Sequence, residues 1–160
     1  MWMKLFTLSS TFYSKHLGHS EILENKNGRP YVVLLVKTNK RTFAIPFRTN
    51  GRFGKNSPGR PKTCYYFSSS GRSSLSSAGR VPVLDFIKAV VVVSEDLGKP
   101  ACIDKKEFRE LSSHFKQIRL SFEVYLDYYL DSVRHVKNLD AYEIKYSSLQ
   151  YFNDLLLDVK

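Results

Sequence analysis

Two apolar segments, residues 31–37 (YVVLLVK) and residues 42–48 (TFAIPFR), decide the fold of this chain. Both are rich in β-branched and aromatic residues and are too short for helices, so they predict a β-hairpin. Pro46 cannot donate a ladder hydrogen bond, so the second strand should lie at a sheet edge or be bulged just before Arg48 and Thr49. Because bulges often redirect side chains beside active sites, this end of the hairpin is a candidate location for function.

Further strands are predicted on both sides of the hairpin. Residues 3–8 and 62–67 are typical of short strands. Residues 87–93 (IKAVVVV) give the strongest buried-strand pattern, with residues 101–103 as a candidate partner. Most of residues 50–82 is basic sequence rich in Gly, Ser and Pro, which predicts a mobile loop region.

Helical patterns lie mainly in the second half of the chain. Ser10 is a candidate cap of a short early helix, and Asp104 begins a capping-box pattern for another. Residues 114–136 carry apolar side chains at spacings of three and four, as in a long amphipathic helix, and a last helix is capped near Ser147. Strands followed by helices predict one α+β domain over residues 1–160, a compact small antiparallel sheet or partial barrel with packed helices.

The positive charge of the chain is concentrated in one block. Residues 25–84 contain twelve Lys or Arg residues and no Asp or Glu, while the other hundred residues hold all fifteen acids and thirteen bases. The formal net charge is +10. A polyanion is the natural partner of such a block.

Metal and redox motifs are missing from the sequence. The four histidines are scattered, and no zinc or phosphate-loop pattern occurs, so no metal or other cofactor is expected. Cys64 and Cys102 lie in apolar contexts and are expected to be buried free thiols in a reducing cytosol. The sequence has no signal peptide and no apolar run of membrane-spanning length, so a cytoplasmic protein with no membrane partner is expected.

The basic block favours metal-free chemistry on RNA. Nucleases that use Mg²⁺ hold the ion with carboxylates, which the block lacks. RNA can be cleaved without a metal, because its own 2′-hydroxyl can attack the adjacent phosphate. The protein then has to orient that attack, move protons and stabilise the phosphorane charge, for which Lys, Arg, Tyr, His and hydroxyl side chains suffice.

Six short pieces of the sequence resemble one known family. They are residues 12–16, 21–23 (EIL), 29–31 (RPY), 43–50 (FAIPFRTN), 84–86 (LDF) and 88–90 (KAV). Together they look like the TenpIN branch of type III toxin–antitoxin toxins, relatives of ToxN and AbiQ. The specific part is the FAIPFR[ST]N core, and the match runs through roughly residues 1–93.

The resemblance implies both a fold and a function. The implied fold is a compact sheet with helices, similar to the MazF and Kid toxins. The implied activity is a metal-independent, sequence-specific endoribonuclease that leaves a 2′,3′-cyclic phosphate and a 5′-hydroxyl and takes part in phage defence. Its implied partners are target mRNA and a repeat RNA antitoxin, which the toxin processes and binds as a pseudoknot in a protein–RNA hetero-oligomer.

The resemblance also assigns candidate catalytic residues. In ToxN relatives a hydroxyl at the end of the second hairpin strand is central to catalysis, and Thr49 occupies that position here, next to Arg48. Basic positions before the first strand and just past the hydroxyl correspond to Arg29 and Arg52, where ToxN-like members tend to carry Lys. The segment over residues 53–80 is longer and richer in Ser than expected for the family.

Proton transfer and RNA binding require further candidates. Arg is too basic to accept a proton at neutral pH, so His16 and Tyr31 are the candidate general bases. Adjacent strand residues face opposite sides, so only one of two neighbouring tyrosines at 65 and 66 can be buried in a one-sided sheet, and the other can stack on a base. A lysine at 88 either snorkels at an edge or points into the site. The full set of candidate RNA-binding residues is Lys26, Lys55, Arg60, Lys62, Tyr65, Tyr66, Arg72, Arg80 and Lys88.

Two other functions fit the same charge block. A non-catalytic RNA-binding module would need the cations but no placed hydroxyl or proton acceptor. A MazF-like ribonuclease toxin neutralised by an acidic protein would also suit a basic face. Tandem repeats upstream of the gene would favour the RNA antitoxin, and a small acidic reading frame would favour the protein antitoxin.

Overall fold

The computed structural model describes residues 4–23, 31–51, 59–67 and 81–157 and shows an α+β fold, as predicted. Its strands form one seven-stranded antiparallel sheet in the order β4-β5-β3-β2-β1-β7, with β6 pairing to β3. The strands are β1 (Leu5–Leu8), β2 (Val32–Lys37), β3 (Thr42–Gly51), β4 (Cys64–Tyr66), β5 (Val81–Asp85), β6 (Val90–Val92) and β7 (Leu97–Pro100).

One long helix and several short ones pack on the sheet. The α-helices are α1 (Ser10–Lys15), α2 (Lys105–Arg134), α3 (Tyr142–Lys145) and α4 (Asn153–Leu156), and 3₁₀ turns occupy Phe86–Lys88, Ser94–Asp96 and Ser148–Phe152. Among the described residues, no helix combines the length and the apolar character that crossing a bilayer would need.

The hairpin of β2 and β3 is confirmed and forms the centre of the sheet. Its register pairs Val33 with Pro46 and Lys37 with Thr42. Thr38 closes the turn, because its backbone N–H and its hydroxyl both donate to the carbonyl of Arg41, at 2.9 and 3.1 Å.

β3 is an interior strand, so the prediction that Pro46 marks a sheet edge is wrong. β3 pairs with β2 on one side; on the other it pairs with β6 up to Ala44 and with β5 from Phe47 onward. Pro46 lies between these two contacts, where β3 changes its partner. An interior strand tolerates a residue without an N–H best at such a junction.

The bulge in β3 follows Arg48 rather than preceding it. Arg48 pairs with Val83 and Gly51 pairs with Val81, so β3 has one more residue than β5 between the two pairs. The extra residue falls at positions 49–50. Glycine is needed at the end of the bulge, because a Cβ on Gly51 would overlap the side chain of Val83.

Residues 87–93 do not form the single strand that their composition predicts. Asp85 ends β5 and caps a 3₁₀ turn by accepting a hydrogen bond from the Ile87 backbone N–H at 3.1 Å. Only Val90–Val92 continue as a strand. The predicted strand at residues 101–103 is also absent, because β7 ends at Pro100 after pairing with β1.

The helices begin close to the predicted positions. Asp104 caps α2, which is continuous to Arg134, so the predicted short helix and long helix are one element. Ser9, not Ser10, caps α1. The predicted cap at Ser147 is confirmed, although a 3₁₀ turn precedes α4.

The core lies between α2 and the sheet. The Phe122 ring packs on Phe43 and Phe86 with centroid separations of 5.2 and 5.6 Å. Tyr125 is fully buried, and its hydroxyl donates to the carbonyl of Glu143 at 2.8 Å. This bond ties α2 to the C-terminal segment, which therefore braces the same end of the sheet as β5 and its 3₁₀ turn.

Candidate functional site

The candidate site lies on one side of the sheet where β3, β5 and β4 run together. Arg48, Val83 and Tyr66 are directly paired across these three strands and therefore share a side. Phe47, Leu84 and Tyr65 form the neighbouring row and face the opposite side. The bulge, with Thr49, follows Arg48 immediately.

Arg48 is held by a buried carboxylate that sequence reasoning did not select. Its Nη1 donates to Asp85 Oδ2 at 2.9 Å, and the other Asp85 oxygen accepts from the Ile87 N–H. Asp85 is 7% exposed, whereas 42% of the Arg48 side chain is exposed. Arg48 is therefore only partly exposed, and its Nη1 is engaged by Asp85.

Asp85 carried a signal in the sequence. It is the first acid after the acid-free block, and it belongs to the LDF piece of the family pattern. Its partner was not predictable from either observation, because only the pairing of β3 with β5 brings positions 48 and 85 together.

Thr49 is exposed beside Arg48. Thr49 follows Arg48 directly in the chain and lies at the bulge of β3. This is the position in the chain that the family resemblance gives to its hydroxyl residue.

Cys64 borders this site but is not a reactive nucleophile. It is paired with Asp85 across β4 and β5 and is half-buried. Burial, with a smaller contribution from the charge of Asp85, raises the pKa of its thiol to about 11. A thiol with so high a pKa stays protonated at neutral pH. Cys102 is a free thiol as well, but it is exposed, so the prediction that both are buried is wrong.

The two adjacent tyrosines of β4 face opposite sides, as predicted, but both are half-buried. Tyr65 turns towards α2, where its hydroxyl donates to Glu110 Oε2 at 2.6 Å and its ring packs edge-on against Phe67. Burial, then the contact with Glu110, raises its pKa. Tyr66 lies on the side of Arg48 and is therefore the better candidate to stack on a base.

Tyr31 and Lys88 line one small cavity of about 10 Å³ together with Tyr13. If the register of β2 and β3 is extended by two residues, Tyr31 lies opposite Arg48 on the same side of the sheet. The Tyr13 hydroxyl is buried without a hydrogen-bond partner among the described residues. Burial raises the pKa of Tyr13 to about 12, with a smaller contribution from Tyr31.

The side chain of Lys88 is neither at a strand edge nor free to bind RNA, because it is held by two hydrogen bonds. It is in a 3₁₀ turn rather than a strand, and its Nζ donates at 2.9 Å to both Glu21 Oε1 and the Tyr146 carbonyl. Only 12% of the side chain is exposed. Lys88 thus ties the end of β5 to two other segments, and its charge is already matched.

His16 lies at the end of α1 in an aromatic cluster. Its ring packs on Phe12 and Phe152, and its Nδ1 is 3.1 Å from His19 Nδ1. Burial lowers the pKa of His16 below its ordinary value of 6.5, and the charges of His19 and Lys15 lower it further. His16 is therefore neutral at neutral pH and chemically able to accept a proton.

The basic face is not free of acids in space, which corrects the expectation drawn from the block. Arg60 Nη1 is 2.6 Å from Glu143 Oε1, and Tyr128 donates to the same oxygen at 2.9 Å. Lys62 is exposed two residues further on. The acidic partners of Arg48 and Arg60 both come from outside residues 25–84, because folding brings acids of distant segments against the block.

Six of the candidate residues lie outside the described residues, as does most of the predicted loop region. They are Lys26, Arg29, Arg52, Lys55, Arg72 and Arg80. Within the described part of the chain, no group of three or more His, Cys, Asp or Glu side chains is arranged to hold a metal ion.

The fold has a counterpart among solved structures. The structure is similar to AbiQ, a lactococcal anti-phage endoribonuclease belonging to the type III toxin–antitoxin system, with a TM-score of 0.62, covering 92% of this chain and 90% of that chain at 15% identity. At this identity the likeness establishes the fold. No family model matches the sequence, and no curated protein matches it.

Proposed function

We propose that this protein is the toxin of a type III toxin–antitoxin system, a metal-independent endoribonuclease that an RNA antitoxin neutralises. The observation that carries the proposal is the exposed residue Thr49 next to the anchored Arg48, at a bulge in a fold similar to that of AbiQ. The TenpIN branch within this class is proposed on the FAIPFRTN motif alone.

In the proposed reaction the substrate supplies its own nucleophile. The 2′-hydroxyl of RNA attacks the adjacent phosphorus, the 5′-oxygen of the next nucleotide leaves, and the products are a 2′,3′-cyclic phosphate and a 5′-hydroxyl. Thr49 positions the phosphodiester, and Arg48 donates to the phosphoryl oxygens whose negative charge grows in the phosphorane.

Asp85 acts in this proposal as a positioning residue for Arg48. Because both of its oxygens are engaged, by the guanidinium and by the Ile87 N–H, it fixes where the guanidinium lies. A donor that is already in place needs no reorganisation when the charge develops, which is where preorganised sites gain most of their effect. For the same reason Asp85 is not offered as a metal ligand.

Tyr31 and His16 are the proposed groups for proton transfer. Tyr31 is supported by the side of the sheet that it would share with Arg48 if the register of β2 and β3 continued past Val33, and His16 by a lowered pKa that keeps it neutral. The two assignments differ in their pH profiles. If His16 is the base, the cleavage rate should decrease as the pH is lowered through an inflection that lies below pH 6.5. The variant His16→Gln would remove that inflection.

Cleavage of single-stranded RNA by the purified protein in excess EDTA is the primary test. Products should carry a 2′,3′-cyclic phosphate and a 5′-hydroxyl, and DNA of the same sequence should be inert because it lacks the attacking hydroxyl. Strict Mg²⁺ dependence or 3′-hydroxyl products would refute the mechanism. Co-expression of the sequence upstream of the gene, intact or with a start codon destroyed, distinguishes an RNA antitoxin from a protein one.

A further inference from the structure

Three cations of the basic block that have no carboxylate partner among the described residues lie at the turn of the central hairpin, away from Thr49. Lys37, Lys40 and Arg41 are all exposed, and within the described residues no carboxylate lies within 4.0 Å of their charged atoms. From Thr42 to Thr49 the chain runs along β3 for seven residues, or roughly 23 Å at ~3.3 Å per residue. Lys37, Lys40 and Arg41 thus lie near one end of β3, and Arg48 and the bulge lie near the other.

These cations surround an open groove, here called the turn groove. Two adjoining cavities of about 1020 and 460 Å³ share residues 37–41, Arg119 and Leu155 as walls. The floor is aliphatic and includes Leu35 and Val92. The cations that line it are Lys4, Lys37, Lys40, Arg41, Arg119 and Arg134, and the acids are Glu123 and Asp127.

The arrangement of the turn groove suits a phosphate backbone. Arg41 Nη2 donates to the Leu155 carbonyl at 3.3 Å, so this guanidinium is anchored over the groove. Lys37 and Lys40 carry exposed ammonium groups on flexible stems that can follow successive phosphates. A second copy of this chain is excluded as the occupant by charge, because each copy carries +10.

We propose that the turn groove is a second RNA-binding surface, which grips the phosphate backbone of the antitoxin RNA while the bulged end of β3 holds the phosphodiester that reacts. The inference rests on the proposed function for the identity of the RNA. Two observations support the proposal. The groove is continuous with β3, and among the described residues Lys37, Lys40 and Arg41 at its rim have no carboxylate partner. A strand of RNA that reaches both ends must span roughly seven stacked nucleotides at ~3.4 Å each.

The test compares two variants with the same loss of charge. Lys37→Ala/Lys40→Ala/Arg41→Ala removes the rim of the groove, and Lys106→Ala/Lys116→Ala/Lys145→Ala removes three exposed cations outside it. The probe is a 2′-O-methyl RNA of about 30 nucleotides, which can span both sites and cannot be cleaved because its nucleophile is blocked. Binding is measured by fluorescence anisotropy over a range of salt concentrations.

The expected losses follow from counterion release. Each single-strand phosphate contact contributes ~0.7 to the slope of log K against log salt, or about 5-fold in affinity near 0.1 M salt. The rim variant should therefore bind on the order of 10²-fold more weakly, with a slope smaller by about 2. The control variant should bind within about 3-fold of wild type, because distant exposed charges are screened. Cleavage of a short oligonucleotide of about four nucleotides, too short to reach the groove, should be unchanged in both variants.

Three results would overturn the inference. The first is an unchanged affinity and salt slope in the rim variant, and the second is an equal loss of affinity in the two variants. The third is a rim variant that binds the RNA normally but no longer binds polyglutamate, which would indicate an acidic protein partner. A Lys37→Ala/Lys40→Ala variant, which keeps the Arg41 hydrogen bond, serves if the triple variant unfolds. Failure of the proposed function would look different. A wild-type protein that binds the probe but cleaves no RNA would refute the endoribonuclease activity, and the measurement of binding in the groove would remain valid.

Discussion

The ion pair between Arg48 and Asp85 is open to a direct test by Asp85→Asn. Asparagine keeps an oxygen that can accept from the Ile87 N–H, so the cap of the 3₁₀ turn survives. What is lost is the negative charge 2.9 Å from the guanidinium. The guanidinium then no longer has a fixed position beside Thr49.

The size of the effect follows from the exposure of the two partners. Breaking a fully buried pair costs ~3–5 kcal/mol, and exposed pairs contribute only ~0.2–1 kcal/mol. Asp85 is buried, but 42% of the Arg48 side chain is exposed, so solvent screens part of the attraction. We expect a coupling free energy of about 1–2 kcal/mol. For a chain of this size each kcal/mol of lost stability lowers Tm by roughly 2–4 °C.

A double-mutant cycle with Arg48→Ala, Asp85→Asn and the pair of substitutions measures that coupling through urea unfolding. The same proteins are assayed for RNA cleavage. Arg48→Ala should lower kcat by on the order of 10²-fold, because a phosphorane donor is lost. Asp85→Asn should lower kcat by about 10-fold without weakening RNA binding, because the donor remains but is no longer held in place. A coupling below about 0.3 kcal/mol together with an unchanged kcat would refute the positioning role.

Three further predictions test other parts of the site. Thr49→Ala should abolish growth inhibition on expression while changing stability by less than about 0.5 kcal/mol, whereas Thr49→Ser should remain toxic; a toxic alanine variant would place the chemistry elsewhere. Since the pKa of His16 is lowered in the folded state, the unfolded chain binds more protons, so the urea midpoint should fall as pH drops below 6.5, and His16→Gln should flatten that dependence. Gly51→Ala should destabilise by roughly 1–3 kcal/mol, because its methyl group overlaps Val83, and the loss should be smaller when measured in a Val83→Ala background, where that side chain is shortened.

The central hairpin was predictable because local sequence specifies it. Two β-branched runs separated by a short polar turn have few other low-energy arrangements, and the fold class followed from them and from the apolar face of α2. The position of Thr49 at an irregular strand end was predictable for the same reason, since Pro46 announces an interruption in the ladder. The location of the bulge was not, because it depends on which strands pair with β3 on its second side.

Partners contributed by distant segments could not be predicted. Nothing in the sequence near Arg48 or Arg60 indicates that Asp85 and Glu143 will face them, since these contacts span 37 and 83 residues. The prediction of one strand over residues 87–93 was wrong for a related reason. The capping oxygen of Asp85 and the ion pair of Lys88 stabilise a 3₁₀ turn that the intrinsic preference of the run opposes.

Whether a cation of the block has an acidic partner determines whether we expect it to contribute to catalysis or to RNA affinity. In the proposed reaction Arg48, which Asp85 fixes and partly neutralises, adds little attraction for a resting phosphodiester and more as charge grows in the phosphorane. Interactions that are stronger in the transition state than in the bound substrate are the ones that accelerate a reaction. Lys37 and Lys40, which lack such partners within the described residues, attract substrate and transition state equally and so contribute affinity alone. One strand would thus carry catalysis at its bulged end and affinity at its turn, so a toxin that cleaves poorly can still bind its antitoxin RNA tightly. A catalytically inactive Thr49→Ala variant should accordingly retain wild-type affinity and salt dependence for the 2′-O-methyl RNA.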